Sequence, residues 1–200
     1  MKPAAVSPPR PRTSLGARLA RWRVPLGFAA AVVYVVWARP TPLSLAIGLP
    51  VAAAGLALRA AASGHIRKND ALATSGPYRY CRNPLYLGSA ILAAGFLIAA
   101  ACLWLAIAAG ILFAAVYAPV IHREEAFLTQ RFGSAFAAYC RDVPRFWPRF
   151  WRRASNPEPG GFSLALYRRH REYNALVGYA AVAAILVCKI WLLPARLPWL

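Results

Sequence analysis

From Leu85 to Ile121 the chain runs 37 residues without a charged side chain. One crossing of a bilayer's hydrocarbon core takes about 20 apolar residues, so this stretch is long enough for two. It reads as a tight transmembrane hairpin that turns near Ala99 to Leu103. The rest of the chain agrees: 60% of residues are hydrophobic, only 15% are charged, and the mean hydropathy is +0.44. The apolar residues cluster into runs instead of recurring with the period of a surface helix. Together these features define an all-α, polytopic integral membrane protein.

The remaining spans follow in order. Residues 1–23 are rich in Pro and Arg and read as a disordered, basic cytosolic tail, with residues 24–200 forming a single membrane domain. Val24 to Trp37 is short for a span. Val36-Trp37-Ala38 would pass as a signal-peptide cleavage site, but the long basic leader and Pro40 favour a retained first helix. Leu43 to Ala62 is a second span, interrupted by Pro50, with Gly48 and Gly55 offering a small-residue packing face. Pro84 opens the third helix, where its missing N–H costs nothing. A last span covers Tyr173 to Leu193. The expectation is about five spans with cofactor-binding loops on the cytosolic side.

The net charge of +18 invites a nucleic-acid partner, but its distribution argues for a membrane. Six Lys/Arg precede Pro25, four lie between Ala62 and Pro84, and ten between His122 and Glu172. Alternate loops are therefore basic, as positive-inside topology requires. This places the N-terminus and the loops before Pro84 and after Ile121 in the cytosol. The Arg141 to Arg153 stretch mixes Arg with Phe146, Trp147, Phe150 and Trp151, a composition suited to the headgroup layer. Cys81, Cys102, Cys140 and Cys188 are scattered, as are His65, His122 and His170, so no metal site is expected.

Two polar places remain that could carry chemistry. In the first, Gly76-Pro77 marks a turn, and Arg82, Asn83 and Tyr86 set a cation, an amide and a phenol near a helix N-terminus. That suits a carboxylate-bearing ligand, although an interfacial turn with snorkelling arginines has the same composition. In the second, Glu124-Glu125 stands where the hairpin leaves the membrane. Adjacent glutamates on a helix usually form a solvated face. Neighbours point about 100° apart, so one of the two is expected to face a pocket.

Thr74-Ser75-Gly76-Pro77-Tyr78, Arg82-Asn83-Pro84-Leu85-Tyr86-Leu87-Gly88, Glu124-Glu125, Phe132-Gly133, Tyr139 and Arg141-Asp142-Val143-Pro144 occur in that order. In this combination the chain resembles the isoprenylcysteine carboxyl methyltransferase family, which shares a membrane superfamily with phospholipid N-methyltransferases. The resemblance covers roughly residues 64–148. It implies S-adenosylmethionine (SAM) as cofactor, bound on the cytosolic side. The residues implied for it are Lys68, Asp70, Ala71, Leu72, Ala73, Tyr78, Arg82, Asn83, Pro84, Tyr86, Glu124 and Glu125. Glu125 is the first choice for the essential carboxylate, and Arg123 corresponds to an arginine that receives the acceptor's carboxylate. Many relatives have His where this chain has Asn83, which keeps hydrogen bonding but loses a titrating imidazole.

The activity so implied is methyl transfer to a lipid or isoprenoid-type acceptor, most simply a carboxylate, by direct displacement. A carboxylate needs no general base, and plausible bases are scarce here. Two other readings use the same residues: an NADPH-dependent reductase of a lipid double bond, and a lipid-binding membrane protein without catalysis. The short, compact chain points to a bacterial inner membrane.

Overall fold

A computed structural model describes residues 29–66, 71–149 and 161–192, which are helical throughout apart from turns and loops. The chain divides into two compact units, Met1–Trp37 and Ala38–Leu200. The described part of the first unit is a helix over residues 29–37, α1. The basic tail expected over residues 1–23, and the start of the first apolar segment, lie outside the described residues.

The second unit begins with α2, Pro42–Ser63. Thr41 fixes its start: the Thr41 hydroxyl accepts from the N–H of Ser44 (3.0 Å), while the Ser44 hydroxyl accepts from the N–H of Thr41 (2.9 Å). This reciprocal cap satisfies two amides that would otherwise lack partners. Pro50 does not interrupt the helix, which runs through it for 22 residues. α3, Pro84–Ala100, lies against α2, and here the small residues matter. A Cβ added at Gly95 would sit 2.2 Å from the backbone N of Ala52, and one at Gly55 2.3 Å from that of Leu92. The two backbones are therefore in direct contact, the close approach that glycine permits between membrane helices.

The hairpin turn falls at Ala101 and Cys102, inside the expected window. Ala101 adopts a left-handed conformation (φ 49°, ψ 37°), and its N–H returns to Ile98 O. α4, Leu103–Asp142, is 40 residues long. Its apolar part ends at Ile121, 19 residues or about 28 Å from its start, which matches a hydrocarbon core of about 30 Å. The rest extends beyond the apolar layer, broken at Gly133 by a φ of 51° that favours glycine. Leu103, Ile107, Ile111 and Leu112 are exposed along the apolar half and form a lipid-facing surface.

α5, Leu164–Arg169, and α6, Tyr173–Leu192, complete the described chain. Arg59 of α2 ties them in, with its guanidinium 2.9 Å from both carboxylate oxygens of Glu172 and bonded to Ser89 of α3. The Tyr179 hydroxyl donates to Leu49 O on α2 (3.2 Å).

The all-α integral membrane architecture expected from the sequence is the one observed. By length and composition three helices can cross a membrane: α2, α4 and α6. α3 is apolar but has 17 residues, and the described part of α1 is shorter still, so the structure does not establish the expected count of five.

A polar cavity where α3 and α4 leave the apolar layer

The loop between α2 and α3 is shaped before any ligand is considered. Gly76 takes a φ of 58°, and the His65 ring fills the space a side chain would need, with Nε2 2.5 Å from the position of an added Cβ. A single 3-10 turn over Gly76–Arg79 then directs Tyr78 inward, where it is buried. The Tyr78 backbone carbonyl accepts the Tyr139 hydroxyl at 2.7 Å, joining the loop to the far end of α4. Phe136, Tyr139 and Val143 form a small apolar core there, backed by Leu72, Leu128 and Phe132.

After α4 the chain folds back as a strap over residues 143–149, held largely by main-chain bonds. The Arg82 N–H donates to Pro144 O (2.9 Å), and the Arg149 N–H to Tyr80 O (3.2 Å). The Asn83 side-chain amide donates to Arg145 O (3.0 Å), and Cys81 Sγ lies 3.1 Å from Phe146 O. Burial pushes the Cys81 thiol up to about 11, so at neutral pH it is a donor and not a nucleophile. The strap is not simply a headgroup-layer belt. Trp147 is 79% exposed, as that reading requires, but Val143 is fully buried. Phe150 and Trp151 lie outside the described residues.

The loop, the first turn of α3 and α4 line a cavity of about 250 Å³, just below the ~300–1,000 Å³ usual for small-molecule sites. Of the residues implied by the resemblance, Ala71, Leu72, Ala73, Tyr78, Arg82, Asn83, Tyr86, Glu124 and Glu125 line it. Lys68 and Asp70 lie outside the described residues. Pro84 is buried at the first turn of α3 and does not border the cavity. Arg123 is exposed and does not border it either. The reason is rotation: Arg123 sits two steps, about 200°, around the helix from Glu125.

Both glutamates border the cavity, where one was expected. Glu124 is exposed and accepts the Tyr86 hydroxyl at 2.8 Å. Glu125 is enclosed, its side chain 12% exposed, with Arg82 3.1 Å from one carboxylate oxygen and Arg145 2.5 Å from the other. The Arg82 contact is an ion pair without hydrogen-bond alignment. Glu125 Oε1 and Arg82 Nε therefore remain without a hydrogen-bond partner among the described residues, as does the Tyr78 hydroxyl. Burial, reinforced by the Glu124 charge, holds the Tyr78 phenol well above its usual range, so it stays protonated and able to donate. A buried polar atom without a partner is costly in water-free surroundings. Three at one cavity make a ligand-ready set of two donors and one acceptor.

The cavity also uses residues that the motif reading did not place there: Phe127, Leu128, Phe132, Phe136 and Tyr139. The signal existed. From Glu125, Leu128 and Phe132 follow at three- and four-residue steps on one helical face, and Phe136 and Tyr139, three apart, share a face beyond the Gly133 break. Replacing Tyr139 with Phe is expected to cost about 1–2 kcal/mol by orphaning the buried Tyr78 carbonyl. A thermal melt of the purified variant checks this.

An all-α membrane protein with a charged cavity at the end of its spans is the class that this fold and site define. Residues 53–135 match the family model for phospholipid methyltransferase. The matched stretch runs from α2 past the Gly133 break and includes most of the cavity wall. The match is to the same kind of membrane methyltransferase that its motifs resemble. The chain is 35% identical over 141 residues to the cobalt-zinc-cadmium resistance protein CzcN of Cupriavidus metallidurans, covering 66% of this chain and 64% of that one. It is 32% identical over 112 residues to the nickel-cobalt-cadmium resistance protein NccN of Alcaligenes xylosoxydans xylosoxydans, covering 56% and 46%. It thus spans less than two thirds of the length of these curated relatives. No solved structure matches the chain significantly. Among the described residues no three His, Cys, Asp or Glu side chains are grouped as metal ligands would be.

Proposed function

We propose that the chain transfers a methyl group from SAM to a lipid or isoprenoid-type acceptor, with a carboxylate as the receiving group, at the cytosolic face of a bacterial inner membrane. The observation that carries this reading is the Glu125 carboxylate held between Arg82 and Arg145 in a cavity where three buried polar atoms lack a hydrogen bond among the described residues. The alternation of basic loops supports the orientation.

The donor set fits SAM. Glu125 offers a carboxylate to a cationic centre, and Arg82 and Tyr78 offer donors to a carboxylate or hydroxyl. Phe132 and Phe136 supply an apolar wall for a heteroaromatic ring. Tyr86, in the first turn of α3, and Glu124, three residues past the apolar run of α4, stand at the edge of the apolar layer, where a lipid-borne acceptor would present its polar end. SAM would supply a methyl group activated by sulfonium. The protein's own work is to hold the two reactants in line and keep water out, and orientation is a large catalytic term. The wall carries two carboxylates but no imidazole or thiolate, a poor ligand set for soft divalent metals.

The test is calorimetric titration of the purified protein in detergent with SAM, and with NADPH in parallel. Saturable SAM binding is expected, followed by methyl transfer to an isoprenoid carboxylate in a radiolabel assay. NADPH binding without SAM binding would move the assignment to a reductase. A folded protein that binds neither would have kept the fold without the activity.

A further inference from the structure

Two guanidiniums share the single Glu125 carboxylate, and they are not equivalent. The Arg82 side chain is 13% exposed and belongs to the cavity wall, whereas the Arg145 side chain is 47% exposed and reaches Glu125 from the strap, outside the wall. Among the described residues Arg145 makes one further side-chain polar contact, with Nη1 3.4 Å from His122 Nε2. His122 Nδ1 lies 2.7 Å from Ala118 O, which assigns the ring proton to Nδ1 and leaves Nε2 as an acceptor. The backbone at Arg145 is fixed independently, because its carbonyl receives the Asn83 amide and the neighbouring Pro144 carbonyl receives the Arg82 N–H. The Arg145 side chain can therefore leave Glu125 while the strap stays in place.

Charge makes that departure consequential. With both arginines on one carboxylate, the Arg82–Glu125–Arg145 cluster carries one net positive charge, with the exposed Glu124 carboxylate also bordering the cavity. A cationic ligand entering beside Glu125 would double it in surroundings where charges are poorly screened. We propose that Arg145 is a displaceable counter-ion: it neutralises Glu125 while no cation is bound and gives the carboxylate up to the sulfonium-bearing ligand. It is a positioning residue that tunes the cavity toward the charged form of the ligand. This rests on the function proposed above.

The consequence has an unusual sign, since removing an arginine next to the site should improve binding. The experiment titrates wild-type protein, Arg145→Gln and Arg145→Lys with SAM and with S-adenosylhomocysteine, which has the same carboxylate and adenosine but no sulfonium charge. In Arg145→Gln the preference for SAM over S-adenosylhomocysteine should rise by roughly tenfold, as relief of one like charge at short range implies. Arg145→Lys, which keeps the charge, should stay near wild type. Equal weakening of both ligands in Arg145→Gln would make Arg145 a ligand-carboxylate contact or a structural group and overturn the proposal. So would an unchanged preference.

A second measurement does not depend on how the variants fold. Phenylglyoxal labelling of wild-type Arg145, read by peptide mass spectrometry, should increase with SAM and not with S-adenosylhomocysteine. Protection by SAM would overturn displacement. A wild-type protein that binds S-adenosylhomocysteine and SAM with unchanged Arg145 labelling would sink this inference alone. One that binds neither would sink the proposed function with it.

Discussion

Glu125→Gln is expected to weaken SAM binding by at least ~100-fold, which corresponds to about 2.7 kcal/mol. The substitution keeps the shape and removes the charge. Two guanidiniums then face an amide whose NH2 group is itself a donor, and the enclosed Arg82 is left without a counter-ion. Removing one partner of a buried pair costs about 3–5 kcal/mol where burial is complete. Here the slight exposure of both side chains places the folding penalty below that range. Glu124→Gln is the matched comparison. Glu124 is exposed and holds one hydrogen bond from Tyr86, so the loss should be about 1 kcal/mol or less, a few-fold in affinity. Calorimetry and thermal melting of the two variants side by side separate these expectations. Equal effects from both would remove Glu125 from its special place.

The largest effect on folding is expected at Gly95. A valine there would drive its Cβ to within 2.2 Å of the Ala52 backbone N and 2.7 Å of Ala52 Cβ. Neither neighbour can yield without moving α2, so the cost should reach or exceed the top of the ~1–3 kcal/mol range for overpacking. The cavity would suffer as well, since α2 and α3 carry the two ends of the loop that shapes it. Gly110→Ala is the control, because an added Cβ there meets nothing within 4 Å. Size-exclusion chromatography and melting in detergent should show Gly95→Val aggregated or strongly destabilised, and Gly110→Ala like the parent. A well-folded Gly95→Val would mean that α2 and α3 do not pack this way.

What the sequence disclosed, and what it hid, divides along physical lines. The uncharged run from Leu85 to Ile121 placed a hairpin because its length exceeds one bilayer crossing, and the turn at Ala101 lies within the expected window. Motifs whose members are close in the chain placed Tyr78, Arg82, Asn83, Tyr86 and the glutamate pair near one another, and the cavity gathers them. Hidden from reading is any partner that is remote in the chain. Asn83 borders the cavity, and its amide also goes to a backbone carbonyl 62 residues away. Arg145 sits in an Arg/aromatic stretch that resembles a headgroup belt, and nothing local ties it to Glu125. Arg123 follows from the resemblance alone, and helical rotation sets it on a different face from Glu125. Pro50 was read as an interruption, but α2 tolerates it because its other helical bonds and the packing of α3 remain.

The strap also sets a timetable for synthesis. Three groups on the loop, the Arg82 N–H, the Asn83 amide and the Cys81 thiol, find their acceptors only on Pro144, Arg145 and Phe146. A ribosome adding ~5–20 residues per second needs roughly 3–12 s to make the intervening ~60 residues. Once Ala100 has been made, α2 and α3 can pair in the bilayer, because their mutual contacts then exist. The loop's three donors stay without these acceptors. A nascent chain stalled at Asp142 would therefore have every residue of the cavity wall but not the carbonyls that hold the loop in place, so the site is fixed after the membrane anchor that carries it.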